Sequence, residues 1–161
     1  VEKILARASG RDAVRAGDVV EPAVDLAMSH ENAALVLNQF HAVFLGTNLE
    51  PKIWDPSKIA IIFDHRVPAE SPKTASNQKK VREFVEQQGV TKFHDIRGDR
   101  GGICHQVLPE NGYVRPGRVV VGLAPAAVEQ PPALGLVLRD LRQRHLYVFT
   151  LLLERRTRRQ G

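Results

Sequence analysis

Asp64 and His65 form an acid-histidine pair that follows directly on the apolar run Lys58-Ile-Ala-Ile-Ile-Phe63 and opens the loop Arg66-Val-Pro-Ala-Glu-Ser71. A carboxylate beside an imidazole can hold the ring in one orientation and make it a proton carrier near neutral pH. The run before the pair has the composition of a buried strand. The pair would then stand at a strand's carboxyl end, where open α/β sheets keep their ligands. His105 is the second histidine candidate, inside Gly98-Asp-Arg-Gly-Gly-Ile-Cys-His-Gln-Val-Leu-Pro109. The glycines there match neither a P-loop nor a dinucleotide fingerprint, and are expected to let the backbone pass close to something. For His105 a structural and a functional role are evenly balanced. Cys104 is expected to be inert packing, since no activating partner is evident. His30, next to Ser29, is read first as a helix cap or surface residue.

The elements that must position these residues follow from periodicity and punctuation. Glu2 to Ser9 has a short helical pattern stopped by Gly10. Asp18 to Ala27 is β-rich but interrupted by Pro22, which suits a strand that is broken or at an edge. A helix is predicted from about Glu31 to Phe44, with Ala34, Leu35, Leu37 and Phe40 facing the core. After the turn Asp55-Pro56-Ser57 comes the strand Ile59 to Phe63, its unbroken apolar run typical of a parallel strand covered on both faces. Lys73 to Gln88 reads as a strong helix with Val81, Phe84 and Val85 inward and Gly89 as its C-cap. Lys79, Lys80 and Arg82 are expected on its solvated face rather than at a phosphate site. Thr91 to Ile96 and Arg118 to Val121 are further candidate strands. Strand and helix in alternation predict an α/β layer with a mostly parallel sheet.

The chain has 161 residues, 43% hydrophobic and 25% charged, which fits one ordinary globular domain. Its single cysteine can build neither a disulfide framework nor an all-cysteine metal site, and fits a reducing cytoplasm. No charged-then-apolar leader opens the sequence. The late apolar stretch Leu146 to Leu153 falls well short of the roughly 20 residues that span a bilayer, so neither secretion nor membrane insertion is expected. The formal net charge of +5 is unevenly distributed. Residues 1–122 carry 16 basic against 15 acidic side chains, whereas 123–161 carry 7 against 3, and all of those 7 are arginine. So sharp a break in usage suggests two segments of different history.

Five motifs in order carry a resemblance: Glu2-Lys-Ile-Leu-Ala-Arg7, Val24-Asp-Leu-Ala-Met-Ser-His30, Phe63-Asp-His-Arg-Val-Pro-Ala-Glu-Ser71, Asn77-Gln-Lys-Lys-Val-Arg-Glu-Phe84 and Gly102-Ile-Cys-His-Gln-Val-Leu-Pro-Glu110. From Val1 to Gly122 the chain resembles the start of the large subunits of 3-isopropylmalate dehydratase, in the aconitase superfamily. The resemblance implies a three-layer α/β/α domain and hydro-lyase chemistry on hydroxy-di- or tricarboxylic acids. It also implies a four-iron, four-sulfur cluster as Lewis acid, a small swivelling-domain subunit as partner, and a place in leucine biosynthesis in the cytoplasm. By position Asp64 would orient and His65 donate a proton to the departing hydroxide, with His105 in the same cleft. Ser29 and His30 would contact substrate.

The departures shape the expectation as much as the matches. Where the family continues with a Thr-or-Ala-Asp-Ser-His-Thr motif, whose aspartate pairs with the second histidine, this chain has Leu123-Ala-Pro-Ala-Ala127. The family's cluster cysteines come from later domains, and no cysteine follows Cys104. The expectation is therefore an N-terminal dehydratase segment, 1–122, joined to an unrelated arginine-rich tail, 123–161. It should bind no metal or cluster of its own and be inactive in isolation. Homoaconitase is the alternative within the superfamily. An alternative of another class is a non-catalytic basic module, with Arg139, Arg142, Arg144, Arg155, Arg156, Arg158 and Arg159 against nucleic acid or an acidic partner. No nucleic-acid motif supports that alternative, so nucleic acid is not the expected partner.

Overall fold

The computed structural model describes residues 1–31, 33–98, 100–122 and the strand Leu136–Leu138. In chain order the elements are α1 (Glu2–Ser9), β1 (Leu26–Ser29), α2 (Ala33–Val43), a 3-10 turn (Pro56–Lys58), β2 (Ile59–Ile62), α3 (Pro72–Gln88), β3 (Lys92–His94), α4 (Cys104–Glu110), β4 (Val119–Gly122) and β5 (Leu136–Leu138). The remainder of 123–161, including Leu146 to Leu153 and the tail arginines, lies outside the described residues.

Side chains alternate between the faces of a strand, and the apolar run at β2 fills both. Ile59, Ile61 and Phe63 join Leu37 and Phe40 of α2 and Val81 and Phe84 of α3 in one core. Ala60 and Ile62 join Leu26 and Met28 of β1 and Cys104, Val107 and Leu108 of α4 in another. Two cores on opposite faces of one sheet make a three-layer α/β/α arrangement, as the alternation of elements predicts. The sheet has the order β3-β2-β1-β4-β5 and is parallel throughout. The chain moves outward from β1 to β3 with α2 and α3 on one face, then returns across α4 on the other face to place β4 against the free side of β1. The gap beyond the carboxyl ends of β1 and β4 is therefore a topological switch point.

Three expectations need correction. The β-rich stretch from Asp18 does not pair as a broken or edge strand. The strand starts at Leu26, beyond Pro22, and runs between β2 and β4 with all four residues buried. A central strand needs backbone donors for its ladders, which proline lacks, so the proline is left in the approach. Leu35 is 65% exposed, because α2 turns only Ala33, Ala34, Leu37 and Phe40 inward. The third is Arg82, taken up with α3 below. The glycine-rich approach to Cys104 ends where α4 begins, a helix too short for its periodicity to register beside the glycines.

Helix α3 has the boundaries its residues dictate. The Ser71 hydroxyl accepts the Thr74 N–H at 3.2 Å, Pro72 follows, and Gly89 ends the helix at φ 68° in the left-handed region that favours glycine. Lys79 is solvated as expected. Arg82 is not, since its Nε and Nη2 donate to the two carboxylate oxygens of Asp95 at 2.5 and 2.9 Å. Those bonds hold the Asp95 carboxyl below its ordinary range against the opposing effect of burial. A carboxylate whose folded-state pKa is depressed adds stability that is complete above its unfolded value and is lost as pH falls through the folded one. Asp95→Asn should therefore cost about 1.5–3 kcal/mol at pH 7 and progressively less in acid, measured by urea unfolding across pH 2–7.

Candidate active site

Asp64 and His65 leave the carboxyl end of β2, directly beside the switch point. The Asp64 side chain is 4% exposed and divides its two oxygens between two jobs. Oδ1 engages Nδ1 of His65, and Oδ2 accepts the N–H of Cys104 at 2.7 Å. The second bond ties the acid to the first turn of α4, whose N-terminus favours a negative charge. Two motifs forty residues apart thus share one carboxylate. With Nδ1 held by Asp64, Nε2 is the ring nitrogen left for other partners, and the side chain is 40% exposed.

A second carboxylate sits beneath the pair. Glu31, 4% exposed, follows β1 at the start of α2. Its Oε1 accepts the backbone N–H groups of His65 at 2.8 Å and Arg66 at 2.9 Å. Gln78 of α3 holds the same loop by donating to the Arg66 carbonyl at 2.8 Å. Burial pushes the Glu31 carboxyl up, but the contact with His30 and the backbone N–H groups outweigh it and bring the pKa down to about 2. Oε2 lies 3.3 Å from His30 Nδ1.

His30 is 4% exposed and stacks on His65, with ring centroids 4.4 Å apart and planes 28° apart. It is therefore not a surface residue. Its backbone carbonyl accepts the Ala33 N–H at 2.8 Å. Ser29 is buried at the end of β1, where its hydroxyl donates to the His30 carbonyl at 3.3 Å. His105 is half-buried one residue into α4, with Nδ1 3.4 Å from the Cys104 sulfur. Cys104 is 1% exposed, and its thiol is pushed up to about 12 by burial and by the Asp64 carboxylate. Its burial in the core with Val107 and Leu108 fits the packing role expected of it.

The glycines before α4 have the role their spacing suggests. A Cβ on Gly101 would meet the Asp95 carbonyl oxygen at 3.3 Å, and one on Gly102 would meet a methyl of Val107 at 2.9 Å. Glycine thus lets the approach lie against β3's exit and start the helix at Cys104. The approach is also held by His94, buried, whose Nδ1 contacts the Arg100 carbonyl at 2.8 Å and Nε2 the Tyr113 hydroxyl at 3.2 Å. Sequence reasoning missed Glu31. The available signal was an acid placed directly between a strand-ending Ser-His and an apolar helix.

Comparison with known proteins bears on this cleft. No family model matches the chain. The 3-isopropylmalate dehydratase large subunit 1 of Methanopyrus kandleri is 51% identical over 121 residues, 75% of this chain and 27% of the relative. That of Archaeoglobus fulgidus is 44% identical over 123 residues, 76% of this chain and 27% of the relative. A methanogen homoaconitase large subunit from Methanocaldococcus jannaschii is 42% identical over 122 residues, 76% and 27% respectively. The chain spans about a quarter of the length of these curated relatives. No helix among the described residues is long and apolar enough to cross a membrane. At such identity over three quarters of its length, the chain is homologous to the N-terminal part of the 3-isopropylmalate dehydratase large subunits.

Proposed function

We propose that residues 1–122 supply the proton-delivery arm of a hydro-lyase that interconverts 2- and 3-isopropylmalate by dehydration and rehydration, in cytoplasmic leucine biosynthesis. The observation that carries this reading is the Asp64–His65 pair at the carboxyl end of β2, inside a 121-residue stretch 51% identical to a dehydratase large subunit. Hydroxide is a poor leaving group and departs readily only when protonated. In the imidazolium form, His65 keeps Nδ1–H on Asp64 and offers Nε2–H to the departing oxygen. Asp64 orients the ring and stabilises its charge. Glu31 and Gln78 fix the loop from which His65 projects. Ser29 and His30 are the candidate substrate contacts on this reading, and His105 a further catalytic candidate.

The four-iron, four-sulfur cluster of the family does not fit this chain. Such a cluster takes cysteine thiolates, and the one cysteine here is buried with its thiol held protonated by its surroundings. The complete reaction calls for further large-subunit domains and a small subunit, the partner we assign to this segment from the names of its relatives. The substrate on this reading is a hydroxy-dicarboxylic acid.

Two preparations test the proposal. The isolated chain should show neither iron-sulfur absorbance nor hydration of isopropylmaleate after anaerobic reconstitution, and stoichiometric cluster with turnover would overturn that. A chimera in which this chain's matching residues replace those of the Methanopyrus kandleri large subunit, co-expressed with its small subunit, should dehydrate isopropylmalate. The homoaconitase-named relatives favour a second reading. Turnover of homocitrate by the same chimera, with none of isopropylmalate, would select it.

A further inference from the structure

We infer that His30, Glu31 and His65 form a binding site for one first-row divalent cation, Zn²⁺ above all. The site stands on its own side chains, independently of the hydro-lyase reading. One ligating atom from each of the three residues lies within 4.8 Å of the others. Within that group the Glu31 carboxylate is held by Oε1 on two backbone N–H groups, while Oε2 is buried and accepts no hydrogen bond among the described residues. The close polar neighbour of Oε2 is His30 Nδ1 at 3.3 Å, off hydrogen-bond geometry, and a cation held between the two would be the stronger partner for a buried carboxylate oxygen.

The geometry suits a small tetrahedral ion. Glu31 Oε2 and His30 Nδ1 are 3.3 Å apart. Two donors on a tetrahedral Zn²⁺, each bonded at ~2.0–2.1 Å, are separated by ~3.3–3.4 Å. The third ligand is His65, stacked beside His30, with a ring nitrogen within 4.8 Å of the other two donors. Asp64 engages Nδ1 of that ring, so a cation bound at Nε2 takes the place of the proton that Nε2 carries in the hydro-lyase reading, and the two uses of His65 exclude each other. A carboxylate behind a ligating histidine fixes its tautomer and raises its basicity, a common arrangement around protein-bound zinc. Two imidazoles and one carboxylate favour Zn²⁺ over Mg²⁺ or Ca²⁺, which prefer oxygen donors. Water would complete the fourth position.

The test uses the chelator-treated 161-residue chain, its folding checked by far-UV circular dichroism, titrated with Co²⁺ as a visible probe and then with Zn²⁺. The expected result is one Co²⁺ per chain with the intense visible bands of four-coordination and no thiolate charge-transfer band, displaced by one equivalent of Zn²⁺. His65→Ala changes a part-exposed side chain and should weaken binding at least tenfold. Asp64→Asn should weaken it about 10–100-fold through the ring it no longer orients. His41→Ala, at an exposed histidine of α2, should leave affinity unchanged and serves as the control. Failure of the folded chain to take up one equivalent, or His65→Ala binding as tightly as the parent, would overturn the site. Turnover is not read, so this outcome is separate from that of the dehydratase proposal.

Discussion

Alanine at His65, introduced into the dehydratase chimera, should lower kcat by about 10²–10⁴-fold, the range a positioned general acid contributes. The side chain projects from the end of β2, held through Nδ1 by a nearly buried aspartate and through its own backbone N–H by Glu31. Proton transfer to the departing hydroxide develops only in the transition state, so kcat should fall while KM changes little. Asp64→Asn should give a smaller loss. The imidazole stays, but the charge that stabilises its protonated form is removed, and the Cys104 N–H faces a neutral acceptor. Steady-state kinetics of the two variants check this directly. A His65→Ala chimera that keeps more than a tenth of the parental kcat would remove His65 from proton delivery.

Glu31→Ala should destabilise the folded chain by about 2–6 kcal/mol, because the His65 and Arg66 N–H groups lose their acceptor at about 1–3 kcal/mol each. The acid limb of stability gives an independent measure. The Glu31 pKa lies at about 2 in the fold against an ordinary value of 4.5. Its folded value is depressed, so its contribution is complete above pH 4.5 and disappears as pH falls through 2. At one pKa unit per 1.36 kcal/mol, the contribution at neutral pH is about 3 kcal/mol, in line with the hydrogen-bond count. Urea unfolding at pH 7 and pH 3 reads both effects. Glu31→Gln should fall between parent and alanine at pH 7, since an amide oxygen still accepts N–H groups without the charge. Equal stability of parent and Glu31→Ala at pH 7 would show that the loop does not depend on this carboxylate.

Local patterning made much of the fold legible. Ile59 to Phe63 reads as a doubly covered strand because every position is apolar, and the two cores indeed take alternate residues from it. Helix α3 is legible to within a residue because Gly89 and the Ser71-Pro72 start are strong local signals. Leu26 to Ser29 is less so. Nothing in Asp18 to Ala27 says where pairing begins until both neighbouring strands compete for backbone donors and exclude Pro22. Arg82 looked like a solvated charge because Asp95, its partner, is thirteen residues away and across a turn. Leu35 looked like core because α2 is apolar nearly all round, and only packing on the sheet selects which side is covered.

The candidate site divides in the same way. Residue types and their address at a strand end were enough to single out Asp64 and His65, and the ordered motifs were enough to assign the homology, because both are properties of short contiguous segments. Tertiary structure alone decided that Asp64 also binds the start of α4, that His30 is buried against His65, and that Glu31 underlies both. Parallel strands with crossover helices bring the ends of β1, β2 and the approach to α4 to one edge of the sheet. Contacts made across that edge have no periodicity or spacing in the chain by which they could have been read.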